Sequence, residues 1–461
     1  MKLNYFNFRK INRKYLITNE LGFYLYLKED ELDNLVNERY KSLSISTLKE
    51  LEDKFFIYDC DDDVFIEKVK QLYRESKRYL FSATSLHIFV MTNACNLACR
   101  YCQAQDSDQT CKGFMTKETA KKAVDIALQS PTNYLTFEFQ GGEPLLNYET
   151  IKYIVLYSKE VCNDKKIEYS IVSNTLLLND EMIRFFQENN VRVSTSLDGG
   201  EIVHNYNRPT IAGETTYENV VKGIQVLAAN NIGAGAIQTT TRKSLNNIEE
   251  IIEAYKKSGL RQIFVRPLTP LGYAHEHWNE IGYTADEFLD FYNQILDLII
   301  EENRNGNYMI EGHAMIFLRK ILRQDFGNYM ELRSPCGAGT GQIAYYYDGD
   351  IYTCDEARMV SEMGDDSFKL GNVDNSYDEL MDSNICKITC QASVLESLPS
   401  CCDCIYHQYC GVCPVVNLAM NGSIYERKAN SYRCKIYKGI LNAIFERLTD
   451  ESIKQVFETW V

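Results

Sequence analysis

The chain has 461 residues, 16 of them cysteine, and a formal net charge of -15. That length allows roughly two to four domains, and the acidic balance argues against a nucleic-acid partner. No run of about 18 apolar residues is present to span a membrane. The N-terminal MKLNYFNFRK lacks the apolar stretch of a secretory signal. These features predict a cytoplasmic protein, where clustered cysteines are more often metal ligands than disulfides.

Residues 1–80 read as a separate unit. NYFNFRKI, KYLITN and GFYLYL are short β-prone runs. EDELDNLVNERY, ISTLKELEDK and VFIEKVKQLYRESKRYL carry helical spacing. Three strands followed by three helices predict a winged-helix-like order. Residues 81–310 then alternate. SLHIFVMT, YLTFEFQ, IEYSIVS, VRVSTSL, IGAGAIQTTT and RQIFVRP read as strands, with helical segments such as TKETAKKAVDIALQ, DEMIRFFQENN and YENVVKGIQVLAANN between them. Six β-α units predict an α/β fold with a parallel sheet and helices outside. Residues 311–335 read as a helical linker. Residues 336–461 are loop-rich and cysteine-dense, with ten cysteines between Cys336 and Cys434.

The chemistry-bearing residues fall just after the predicted strands, where barrel-type α/β folds build their sites. MTNACNLACRYCQAQ follows the first strand, with the spacing Cys95-x3-Cys99-x2-Cys102. GGEP (141–144) follows the second, SN (173–174) the third, SLDGG (196–200) the fourth and RPL (266–268) the sixth. Three cysteines leave one position of a four-ligand cluster open. Half of a zinc site is the competing reading of that spacing. GGEP also reads as a plain turn, and Asp198 as a turn residue.

The triplet, with the aromatic Tyr101 before its last cysteine, resembles the radical SAM superfamily, whose core is a partial (β/α)6 TIM barrel. The resemblance implies a [4Fe-4S] cluster on Cys95, Cys99 and Cys102 that binds S-adenosyl-L-methionine (SAM) and generates a 5′-deoxyadenosyl radical. Tyr101, Gly142, Glu143, Ser196, Arg208 and Leu268 match positions that hold SAM in that family. Cys336, Gly349-x4-Cys354, Cys401-x2-Cys404-x5-Cys410-x2-Cys413 and Cys434 resemble a SPASM domain with two auxiliary [4Fe-4S] clusters, three clusters in all. The last spacing is one residue shorter than the commonest pattern. The family's interleaved ligation would place Cys401, Cys404, Cys410 and Cys434 on the distal cluster, and Cys336, Cys354 and Cys413 on the nearer one. Cys386, Cys390, Cys402 or an open position would complete the nearer set. A zinc ribbon is the alternative.

The N-terminal unit resembles a leader-peptide-binding (PqqD-like) domain. With CNLACRYCQA, SPTNYLTFEFQGGEPLLNY and YTCDEAR, the chain looks closest to the His-Xaa-Ser system radical SAM maturases. The resemblance implies oxidative modification of a ribosomally made precursor peptide, bound through its leader: a thioether, a C–C or similar cross-link, or an epimerised centre. The electron donor would be a flavodoxin or ferredoxin. A sulfatase-type (formylglycine) maturase is the alternative, in which Asp355 would match the catalytic base. A non-catalytic metal-binding scaffold is the alternative of another class.

Overall fold

The computed structural model describes residues 1–107, 111–162, 164–425 and 431–461. Strands β1 (Lys2–Leu3), β2 (Asn7–Ile11), β3 (Lys14–Thr18), β4 (Tyr24–Leu27) and β5 (Ile57–Tyr58) belong to the N-terminal unit. β2, β3 and β4 form an antiparallel sheet in that order, and β1 pairs with β5. Helices Glu29–Val36, Ile45–Asp53 and Asp62–Ser76 follow the predicted order. Alternation along β4 decides what each face covers. Leu25 and Leu27 enter the unit's own core, while Tyr24 and Tyr26 pack on the main core.

That second face joins the unit to the C-terminal region. The Tyr24 ring lies 5.5 Å from Phe445, and the Tyr26 hydroxyl donates to the Phe445 carbonyl at 2.5 Å. Thr18 donates to the Ile405 carbonyl at 2.7 Å, and Tyr409 to that of Gly22 at 2.9 Å.

The main sheet holds β6 (Leu86–Val90), β7 (Tyr134–Gln140), β8 (Lys166–Val172), β9 (Val191–Ser196), β10 (Ala234–Thr239) and β11 (Gln262–Arg266), parallel and adjacent in sequence order. These are the six predicted strands. In β7 the residues alternate: Leu135, Phe137 and Phe139 are buried against the outer helices, and Glu138 and Gln140 turn to the opposite face. The short β12 (Ile310–Glu311) pairs parallel with β11.

The helix Ala285–Arg304 shows why these elements form. Thr284 and Glu287 make a capping box at its start. Phe288, Phe291, Tyr292, Ile295, Leu296 and Ile299 then form one buried stripe at helical spacing. Truncating a residue of that stripe, such as Ile295→Ala, should cost about 2–5 kcal/mol.

The sheet continues where the sequence showed no strands. β13 (Gln342–Tyr345) pairs parallel with β6, and β14 (Asp350–Tyr352) and β15 (Lys369–Asn372) extend it antiparallel. The stretch read as a helical linker is helical only over Gly312–Arg323. Gln324 closes that helix in the left-handed conformation, and Gly327 and Pro335 do not favour a restart.

Candidate functional site

The triplet sits on an irregular loop after β6, and the chain is built to hold that loop tightly. Gly141 and Gly142 let it approach: a Cβ on Gly141 would stand 2.2 Å from the Thr92 carbonyl oxygen, and one on Gly142 2.2 Å from that of Ala94. Their neighbourhood is pinned by Gly142 N–H to Thr92 O (2.8 Å) and Glu143 N–H to Ala94 O (2.9 Å). On the other side the loop zips to residues 207–211. Ala98 donates to Pro209 O and Arg100 to Asn207 O, both at 2.9 Å, and Leu97 bridges Thr210. At its far end Tyr273 N–H lies 2.9 Å from the carbonyls of Cys102 and Gln105.

Glu143 is wholly buried. Its carboxylate accepts from the Ser173 hydroxyl (2.8 Å), the Asn174 amide (2.8 Å) and the Leu145 amide (3.0 Å). Burial pushes this carboxyl above its ordinary range, and those donors pull it back. It braces the loop against the end of β8, as does Asn174 Nδ2 on Asn96 Oδ1 at 2.7 Å.

The three thiols lie within electrostatic reach of one another and of Arg208. Burial pushes Cys95 and Cys99 up to about 12, so the protein alone does not hold them as thiolates; a bound cation would. Arg208 donates through Nη1 to the Tyr101 hydroxyl at 2.6 Å, while its buried Nε has no partner among the described residues. Soft sulfur donors beside an unsatisfied guanidinium fit an iron–sulfur cluster with a carboxylate-bearing ligand. Among the described residues no three His, Cys, Asp or Glu side chains converge on a single-ion position.

Ser196 ends β9, half-buried. Leu268 follows β11, but its amide is already engaged: it donates to the Tyr283 hydroxyl at 2.6 Å. Asp355 is not free either. Its carboxylate takes Arg358 Nε at 2.8 Å, and Arg358 Nη2 lies 3.4 Å from Gln140 Oε1 at the end of β7.

The C-terminal cysteines fall into two groups. Cys336, Cys354 and Cys413 interact, and Glu356 faces all three. Cys354 and Cys413 are the N-caps of helices Asp355–Glu362 and Pro414–Asn421, where the helix dipole favours negative sulfur. Cys401, Cys404, Cys410 and Cys434 line one apolar cavity with His407 and Arg433, and Cys413 reaches its wall. Of the remaining cysteines, Cys386 and Cys390 neighbour each other on the helix Asn384–Gln391. Cys402 lies beside Tyr5 of the N-terminal unit. Sequence reasoning missed Glu356, Arg358 and the buried partners of Asp198. The first two lie inside YTCDEAR, one and three residues after Asp355, but were given no role there; Asp198 gave only a turn signal.

Residues 89–242 match the radical SAM superfamily. The chain is 26% identical over 384 residues to the cysteine-type anaerobic sulfatase-maturating enzyme of Clostridium perfringens, covering 79% of this chain and 97% of that one. It is 24% identical over 472 aligned positions to the radical SAM cyclopropyl synthase TigE of Paramaledivibacter caminithermalis, covering 96% of this chain and 88% of that one. Its fold is similar to that of native anSMEcpe with bound AdoMet and the Kp18Cys peptide: TM-score 0.69 at 22% identity, over 80% of this chain and 99% of that chain.

Proposed function

Because this chain is an enzyme with a radical SAM domain over residues 89–242, we propose that it oxidatively modifies a precursor peptide, which it catches through its N-terminal unit. Cys95, Cys99 and Cys102 would hold the SAM-binding [4Fe-4S] cluster, and Arg208 the SAM carboxylate. When bound, these cofactors supply a 5′-deoxyadenosyl radical that abstracts a hydrogen from the substrate. The glycines of GGEP keep the loop close, Glu143 braces it, and Tyr101 orients Arg208. Cys401, Cys404, Cys410 and Cys434 would hold a second cluster; Cys336, Cys354 and Cys413 a third. An external reductant of flavodoxin or ferredoxin type would supply electrons.

The observation that carries the reading is that two of the cysteine groups hang on one continuous sheet: the triplet follows β6, and Cys354 follows β14, two strands away. The relatives support a macromolecular substrate. One matures a sulfatase, one structure holds a peptide, and the relative aligned over 96% of this chain is a cyclopropyl synthase. The product would be a thioether, a carbon–carbon or similar cross-link, or an epimerised centre. The formylglycine reading is less favoured because Asp355, its expected base, is held by Arg358 at 2.8 Å.

Anaerobic reconstitution should give about twelve irons per chain, three clusters of four. Mass spectrometry of a precursor encoded beside this chain, incubated with enzyme, SAM and reductant, should show loss of hydrogen from the core segment for a cross-link, or gain of one deuterium in D2O for an epimerised centre. A colourless, zinc-rich protein, or an unaltered precursor while SAM is cleaved, would refute the reading.

A further inference from the structure

Asp198 stands in the SLDGG stretch after β9, where a local reading expects a turn residue. It is wholly buried instead. Its Oδ1 accepts from the Tyr101 hydroxyl at 3.0 Å and from the Thr239 amide at 3.4 Å. Its Oδ2 accepts from Asn207 Nδ2 at 3.0 Å. Asn207 is itself fixed, since its Oδ1 accepts from Thr241 at 3.0 Å. A buried carboxylate is costly unless its charge is answered. Here the answering charge is Arg208, reached through a single phenol oxygen.

The direction of this chain is forced. Arg208 can only donate, Asp198 when ionised can only accept, and the phenol has one hydrogen. That hydrogen goes to Asp198, so the oxygen's lone pairs face Arg208 Nη1 at 2.6 Å. A charged acceptor at one end polarises the phenol and makes it a better acceptor at the other.

The indirect route has a consequence for the guanidinium. A direct Asp–Arg pair would occupy two of its donors in a fork. Through the phenol, Arg208 spends one hydrogen bond, the only one its guanidinium makes among the described residues, and Nε stays unpartnered. The Nε–Nη2 edge is thereby left for a planar anion. We infer that Asp198 is a positioning residue of the SAM site: through Tyr101 it aims the guanidinium of Arg208 at the amino-acid carboxylate of SAM.

The inference rests on the proposed SAM site at the triplet, so the test uses SAM alone, with no peptide. Wild type, Asp198→Asn, Tyr101→Phe and the double variant are reconstituted anaerobically. SAM affinity is measured by calorimetry, and the reduced triplet cluster is followed by EPR with and without SAM. Each single variant should keep its iron and bind SAM about tenfold more weakly, with the SAM-induced EPR change shifted to higher SAM. The double variant should be no worse than either single, because both break one chain. Unchanged affinity in Tyr101→Phe, or losses that add in the double, would overturn the relay even if Asp198→Asn failed to fold. Iron-loaded wild type that bound no SAM would instead overturn the site reading beneath it.

Discussion

Replacing Gly142 with alanine tests whether the triplet loop is held by contact with GGEP. The added Cβ would stand 2.2 Å from the Ala94 carbonyl oxygen, 2.6 Å from its carbon and 3.0 Å from the Asn93 oxygen. Ordinary carbon–oxygen contact needs about 1 Å more than the shortest of these. The obstacle is backbone, so no rotamer change relieves it. The Ala94 peptide must retreat by about that distance, and Cys95 is the next residue. Overpacking of this kind costs about 1–3 kcal/mol, which the fold should survive. A reacting geometry displaced by about 1 Å loses on the order of 100-fold in rate. The assay is iron content and reductive SAM cleavage, with Gly235→Ala as control. That glycine lies in β10, has φ outside the left-handed region, and its Cβ would meet nothing within 4 Å. Gly142→Ala should cleave SAM at least tenfold more slowly while the control is silent. Full iron and wild-type cleavage in Gly142→Ala would refute the claim that this contact sets the loop.

Three more perturbations follow from the packing. His87 is buried, with its ring nitrogens on Tyr345 and Thr84, and burial lowers its pKa to about 3. The native state therefore binds fewer protons there than the unfolded chain. This stability is present above about pH 6.5 and lost as pH falls towards 3, at about 1.4 kcal/mol per pH unit; chemical denaturation should show a shallower acid decline in His87→Gln, and parallel curves would contradict it. Tyr24→Ala removes the ring that meets Phe445 and should cost about 3–5 kcal/mol, read as earlier thermal unfolding. A groove on the N-terminal unit is lined by Leu21, Tyr58, Phe65, Ile66, Val69 and Tyr73, with Ile66 half-exposed. Ile66→Glu should weaken binding of a leader-bearing precursor while sparing peptide-free SAM cleavage, and undiminished binding, measured by fluorescence anisotropy, would remove the groove from consideration.

The parallel strands were legible because period-2 and period-3.6 patterns are local. YLTFEFQ alternates cleanly and is β7 from Tyr134 to Gln140. The triplet and GGEP were legible because chemistry constrains their spacing within a few residues. β13–β15 were not, since β13 exists through pairing with β6, more than 250 residues away in sequence. Asp198 shows the same limit at the site. Asp in LDGG satisfies every local rule for a turn, and its burial is decided by Tyr101 and Asn207, which local pattern cannot bring together. Deleting residues 1–81 is not a clean test of leader binding. The contacts of Thr18, Gly22, Tyr24 and Tyr26 with the C-terminal region make it a test of stability instead.

The pairing of β13 with β6 bears on how such a chain could be assembled or dismantled. Motifs draw a border near residue 336, as if the cysteine-rich end were an attachment. Hydrogen bonding draws none: Gln342 to Tyr345 stand in register with Leu86 to Phe89. A chain stopped before that border would leave the amides and carbonyls of β6 bare along a hydrophobic strand, a template for pairing with another copy. The C-terminal region is thus a selvedge of the sheet as well as a home for cysteines, and a chain that lost those cysteines would still have to keep the strand.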